Sequence, residues 1–222
     1  SYNQIKDNSK GLSFDYKGKL NMKMGHNKIS ADDVIKKLSA KELEQVFKFF
    51  GEEEKAKLIS RKIVNKRSLI NIDTEKLVEI INFSKKKFTK KNKATKVFQA
   101  LRILVNNEIS ELIFALSKSC NLVSNNGTIV TVSFHSIEDR ICKFFFNSIS
   151  NYKAVSRYMP KVENEKLSFK LISKKAIIPS IKEIENNPPS RSAKLRAIKR
   201  CGLNKIDTEF LYKKFKVLLD IE

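Results

Sequence analysis

A β-branched, apolar run passes almost directly into a helical pattern between Thr128 and Phe146, TIVTVSFHSIEDRICKFFF. Its first seven residues, Thr128–Phe134, have the composition of a strand buried on both faces. In the second half Ile137, Ile141, Phe144 and Phe145 fall on one helical face, with Glu138, Asp139 and Arg140 off it. Ser136 is placed to be the N-cap, and Asp139 three residues on completes a capping box. Between strand and helix stands His135, one of two histidines in the chain. A strand feeding a helix this tightly belongs to an α/β sheet, and ligands bind at the carboxyl ends of such strands. The stretch therefore delivers an imidazole, a hydroxyl and two carboxylates to the usual place for chemistry.

The rest of the chain divides around it. Residues 1–27 read as a loop punctuated by Gly11, Gly18 and Gly25. From Ile29 to about Thr89 the pattern is helical. Ser30 caps a helix through ADDVIKKL, and Ser39 with Glu42 caps AKELEQVFKFF, which Gly51 ends. Next, EEEKAKLISRKIVNKR puts Ala56, Ile59, Ile63 and Val64 on one face, and a fourth helix turns Leu77, Ile80 and Ile81 inward. The lysines at 85–87, 90, 91 and 93 form a candidate phosphate-binding edge or a solvated face. Thr95–Ser119 is the longest helical pattern, with Gln99, Arg102, Asn106, Asn107 and Glu108 as polar interruptions. Asn126-Gly127 predicts a turn before the strand. Beyond a polar stretch at 151–165, residues 166–179 and Arg191–Arg200 predict strands, and Asp207–Leu219 a helix. The order strand, helix, strand, connection, strand fits the back half of an α/β sheet that ends in an antiparallel hairpin.

Composition narrows the function classes. A net charge of +21 favours a polyanionic partner, most simply RNA or DNA, although the Lys-, Asn- and Ile-rich usage also fits an A+T-rich genome. No apolar run reaches the roughly 18 residues of a membrane span. Three widely spaced cysteines, with no C-x-x-C, argue against a disulfide framework or zinc site and suit a reducing cytoplasm. With His26 the only other histidine, no metal site is expected. No G-x-S-x-G, P-loop or G-x-G-x-x-G is present. His135 itself has two readings: it orients a substrate or shuttles a proton, or it is satisfied by the neighbouring Glu138 or Asp139. Asn187-Pro188-Pro189-Ser190 has Ser190 where amine methyltransferases carry an aromatic, and it reads as a turn.

Three segments carry a resemblance. FQALRILVNNEISEL (98–112), NGTIVTVSFHSIEDR (126–140) and NPPSRSAKLRAIKR (187–200) closely resemble signature segments of the ribosomal RNA small-subunit methyltransferase H family, also called MraW. GLSFDYKGKLNMKM (11–24) is similar to that family's G-F-S-F…G-P-L-D-M-R-M loop, and FGEEEKAKLISRKIV (50–64) matches in spacing. The resemblance implies transfer of a methyl group from S-adenosylmethionine to N4 of a cytidine in the decoding region of 16S ribosomal RNA. The implied fold is α/β, the C-terminal part of a class I S-adenosylmethionine-dependent methyltransferase (Rossmann-like) sheet with an inserted all-α domain. The implied domains are 1–21, a loop of the methyltransferase domain; 22–92, a helical substrate-recognition insert; and 93–222, the remainder. Implied partners are small-subunit ribosomal RNA and the small ribosomal subunit, in the cytoplasm and without a membrane, and the family is compatible with a homodimer.

Ser1-Tyr2-Asn3-Gln4-Ile5 resembles the family's S-S-x-Q-L loop, so the chain is expected to begin after the cofactor strand and its G-x-G-G-H-S turn. Gln4 is then the one cofactor-contacting position that carries over. Departures occur at Asn21 and Gly25, where the family has Asp, and at Asn92-Lys93-Ala94-Thr95-Lys96, where it has H-P-A-T-R. Ser133, His135 and Ser136 are expected to line the pocket for the target base. Arg191, Lys194, Arg196, Lys199 and Arg200 are the candidates for RNA phosphate. The alternative is a non-catalytic, RNA-binding piece of such an enzyme.

Overall fold

Helices in the first half of the chain are started by reciprocal pairs of residues. Ser30 caps α1 (Ala31–Lys37), accepting from the Asp33 amide while Asp33 accepts from the amide of Ser30; Ser39 and Glu42 do the same for α2 (Ala40–Phe49). Each box satisfies two amides that have no intrahelical partner. In α3 (Ala56–Arg67) the buried face is Ala56, Ile59, Ser60 and Ile63, with Ser60 where Val64 was expected and Val64 only half-buried; in α4 (Thr74–Ser84) it includes Leu77, Ile80 and Ile81, as the periodicity predicts. Gly51 does not act as the helix stop through its backbone angles; Phe50 is the C-cap. A glycine stands there because a Cβ would lie 2.5 Å from the Lys96 carbonyl oxygen and 2.7 Å from that of Phe47.

The single helix expected over Thr95–Ser119 is two: α5 (Thr95–Asn106) and α6 (Glu108–Leu122). Asn107 breaks them in the left-handed region, at φ 49 and ψ 41, a conformation Asn tolerates better than most residues. The polar interruptions of the pattern were the signal of that break.

The computed structural model describes residues 7, 10–13, 17–84, 92–150, 168–202 and 204–222. They form two compact units, one drawn from the chain up to Ile109 together with Val217–Glu222, the other from Ser110–Lys216. In the first, α2 packs on α3 and α5, α3 on α4, and α1 on α3 and α5. The apolar face of α5 therefore joins the helical elements. Gln4, the lysines at 85–87, 90 and 91, and the stretch 151–165 lie outside the described residues.

The second unit is built on β1 (Thr128–Ser133), α7 (Ser136–Ile149), β2 (Phe169–Leu171) and β3 (Lys194–Arg200). The strand order is β1-β3-β2, and β3 is antiparallel to both neighbours. Asn126, at φ 63, makes the expected turn into β1. Much of the strand expected at 166–179 is not ladder: β2 ends at Leu171, and Ile177 pairs singly with Leu195. The connection before β3 contains a short helix, α8 (Ile181–Asn186), and a 3-10 turn over Pro188–Ser192, so the N-P-P-S segment is a turn as read. The chain closes on α9 (Glu209–Lys214) and α10 (Lys216–Leu219), split at Phe215.

The expectation that β1 is buried on both faces is corrected. Ile129 and Ser133 are buried, but Val130, Val132 and Phe134 are 53%, 52% and 55% exposed. Only one face of the sheet receives α7. The other carries Val130 and Val132 opposite Ala197 and Leu195, with Ile172 and Ile177 alongside, and it is open in this unit. No described helix is long and apolar enough to cross a membrane.

Candidate functional site at the carboxyl end of the first strand

The turn after β1 is held by Glu138. Its carboxylate accepts from the amides of Phe134 at 2.8 Å and His135 at 3.3 Å, while the Glu138 amide points at His135 Nδ1 at 3.4 Å. His135, extended at φ −135 and ψ 165, is thus the N-cap of α7 and Glu138 its capping-box partner. The expected pairing of Ser136 with Asp139 is corrected by one residue, because the imidazole reaches the third amide as a serine hydroxyl would. With Nδ1 facing an N–H, the proton of a neutral ring belongs on Nε2. That atom is buried and 3.3 Å from Glu138 Oε1, but without the alignment of a hydrogen bond. Of the two readings of His135, the structure carries the pairing with Glu138 and leaves one ring nitrogen uncommitted.

Asp139 is turned the other way. Its carboxylate receives Arg196 Nε at 2.7 Å, Arg196 Nη2 at 3.3 Å and Lys194 Nζ at 3.1 Å, tying α7 to β3. Burial alone raises the pKa of both carboxyls. For Glu138 this is outweighed by His135 and the two turn amides, and for Asp139 by Arg196 and Lys194, so both end below the ordinary carboxylate range. Both are ionised at neutral pH, and the helix N-terminus favours that charge.

The predicted site residues separate under this geometry. Ser136 is exposed at the first turn of α7. Ser133, expected to line a pocket, is buried with its Oγ 3.9 Å from Cys142 Sγ on the α7 side of the sheet; burial raises the thiol pKa of Cys142. Among the five basic residues Arg191 and Lys199 are exposed, and Lys194 is half-exposed beside Asp139. Arg196 is spent on Asp139, its side chain 13% exposed. Arg200 is corrected outright: it is 5% exposed, and its guanidinium donates to the carbonyls of Gly202 at 2.7 Å and of Cys120 and Val123 at 2.9 Å. It closes the negative end of α6 and stacks on Phe169, 5.7 Å from the ring centre, so it does not face solvent phosphate.

Two features escaped the sequence reading. Phe134 projects from the strand end with its amide fixed by Glu138; alternation from buried Ser133 was the signal available. In the helical unit Asn106 is a hub. Its Oδ1 accepts from the Met24 amide at 2.8 Å and Asn27 Nδ2 at 2.7 Å, and its Nδ2 donates to the carbonyls of Met22 at 2.9 Å and Arg102 at 2.8 Å. It therefore fixes the Met22–Asn27 loop, with Met22 itself at φ 58. Arg102 pairs with Glu108 at 2.8 and 3.0 Å across the helix break, and Gln99 and Lys96 donate to the carbonyls of Phe50 and Glu52. These polar side chains are structural ties, not a solvent face.

A Cβ at Gly11, Gly51 or Gly127 would meet this chain's own Lys19, Lys96 or Val123, so those glycines serve internal approach and leave no space beside a ligand.

The chain matches the MraW methylase family over residues 1–201. It is 41% identical over 198 residues to the ribosomal RNA small subunit methyltransferase H of Agrobacterium fabrum, covering 87% of this chain and 58% of that protein. It is 40% identical to the proteins of the same name from Rhodopseudomonas palustris (strain BisB18), over 89% of this chain and 60% of the relative, and from Azorhizobium caulinodans, over 89% and 58%. The chain thus spans 58 to 60% of the length of these relatives. With S-F-H-S-I-E-D-R forming the turn at the carboxyl end of an α/β strand and R-S-A-K-L-R-A leading into its charged neighbour strand, the chain belongs to the MraW methylase family.

Proposed function

We propose that this chain carries the RNA-side elements of an S-adenosylmethionine-dependent methyltransferase that modifies N4 of a cytidine in the decoding region of small-subunit ribosomal RNA. The single observation that supports this most is the turn at 134–138, fixed by Glu138 and braced through Asp139, inside a family match that spans residues 1–201. The fold that goes with this reading is a class I, Rossmann-like sheet in which residues 22–92 are an inserted recognition domain, working in the cytoplasm.

A cytosine N4 lone pair is delocalised into its ring, so a site has to hold the amine in line and accept its hydrogen. Positioning then supplies much of the acceleration. In structured RNA the base is first unstacked into a pocket. His135 and Ser136 are assigned to that pocket, with Phe134 offering a ring beside them and Ser133 supporting the strand end from beneath. Arg191, Lys194 and Lys199 are assigned to phosphate, which the net charge of +21 favours. Gln4 is assigned to S-adenosylmethionine. No step is derived through that cofactor.

Transfer of labelled methyl from S-adenosylmethionine to reconstituted small subunits tests the reading. His135→Ala in a protein of the relatives' full length lowers turnover about a hundredfold or more, the low end of what a positioned group contributes; unchanged turnover removes His135 from the site. The second reading is RNA binding without catalysis. Calorimetric titration of this chain with S-adenosylmethionine decides between them: RNA binding with no cofactor heat supports the second.

A further inference from the structure

We propose that Phe83, at the end of α4, is a stacking platform for an unpaired RNA base, with Lys62 and Lys66 of α3 as its phosphate contacts. This rests on the reading that RNA is the partner, and it adds a second contact point, in the helical unit. The α4 sequence buries its apolar residues efficiently: Leu77, Ile80 and Ile81 are 0 to 1% exposed. Phe83 on the same helix is 73% exposed. A lone exposed aromatic needs no explanation on a neutral surface; the charges around this one are what distinguish it.

Lys66 Nζ lies 5.9 Å from the ring centre, and Lys62 Nζ donates to the Phe83 carbonyl at 3.4 Å. Lys62 and Lys66 are one helical turn apart on α3, so one ammonium lies over the ring and the other at the backbone of the same residue. Among the described residues neither is paired with a carboxylate, whereas the acids of α4 are already occupied: Glu75 by Lys17 at 2.7 Å and Glu79 by Lys76 at 3.2 Å. The result is an open ring face beside two uncompensated cations. A nucleotide matches that chemistry, since it joins a planar π-face to an anion through one sugar. Stacking on aromatic side chains flanked by positive charge is how single strands are held without base readout. An apolar protein partner would leave both ammoniums buried and unpaired.

The chain contains no tryptophan, so Phe83→Trp places a sole indole reporter at the proposed platform. The experiment uses the whole chain, a labelled oligouridylate of about ten nucleotides, within the site sizes of single-strand binders, and poly-glutamate as the base-free polyanion. The expected result is that Phe83→Trp binds the oligonucleotide as tightly as the parent and loses emission on binding. Phe83→Ala weakens binding about tenfold with the salt dependence intact, consistent with loss of one stacked base. Lys62→Gln with Lys66→Gln instead reduces the slope of log K against log salt by about 1.4, at about 0.7 per cation. Binding by Phe83→Ala equal to the parent, or an unquenched indole at saturation, overturns the platform while leaving the RNA reading in place. A parent chain that binds no oligonucleotide overturns both. Equal quenching by poly-glutamate, with Phe83→Ala losing both ligands alike, reassigns the surface to acidic protein and also overturns it.

Discussion

The helical unit and the sheet unit reach order by different routes. In the first, the caps of α1 and α2 lie within three residues of the helix they start, and the apolar stripes of α1 to α5 pack on one another, with Leu58 and Phe83 left outside them. In the second, apolar strand residues Val130 and Val132, with Phe134 just past the strand, are left about half exposed, and two adjacent carboxylates, Glu138 and Asp139, do unlike work. Helix chemistry is local, so a helical unit closes on its own sequence. A strand's burial depends on what lies over each face and along each edge, and among the described residues β1 has β3 on one side only.

The contrast breaks first at Asp139. Asp139→Ala strands Arg196 and is expected to cost about 3 kcal/mol in urea unfolding of the sheet unit, as removal of one member of a buried pair does, with amide exchange in the helical unit unchanged. The pH dependence has the same origin. Because the folded pKa of Asp139 is lowered, its contribution is complete above the ordinary aspartate range and is lost as pH falls through the lowered value. The parent therefore loses stability on acidification through that window, and Asp139→Ala shows a shallower loss. An equally steep acid profile in the variant places the linkage elsewhere.

The two faces of the sheet give the next test. Ile198, fully buried opposite Ile129, costs about 3 kcal/mol on truncation to Ala, whereas Val130→Ala, one register position away on the open face, costs under about 0.5 kcal/mol. Equal costs in thermal unfolding show that the open face is covered in solution. In the helical unit Asn106→Ala removes its four ties to Arg102 and the 22–27 loop, for about 2 kcal/mol, read as faster deuterium exchange across residues 22–27. Smallest is Ser39→Ala, at about 1 kcal/mol for a lost N-cap, seen as fraying of α2 alone.

How far the sequence could be read follows the same division. The cap residues of α1 and α2, the buried faces of α3 and α4, the Asn126-Gly127 turn and the strand-to-helix passage at 128–146 were all legible, because each is set by neighbours within one or two turns. The break at Asn107 was legible only in part: Asn106, Asn107 and Glu108 interrupt the apolar stripe, but the periodicity on either side runs on nearly in phase. The site was legible as a place, at the carboxyl end of β1, but not as a set of partners. Which of Glu138 and Asp139 closes the turn depends on a one-residue shift of the N-cap, and Asp139 finds Arg196 and Lys194 only because β3 lies antiparallel beside β1.

The sequence by itself determined the α/β class, the starts of α1 and α2 and the family, since local capping, periodicity and long motif strings survive without any knowledge of packing. Tertiary structure alone decided which basic residues are available. Arg191, Lys194, Arg196, Lys199 and Arg200 are alike as letters in one row. Strand alternation and the end of α6 turn Arg200 into a buried brace and Arg196 into the partner of Asp139, while Lys199 is left in solvent. A charge's role is set by the dielectric and the partners around it, and both are properties of the assembled sheet.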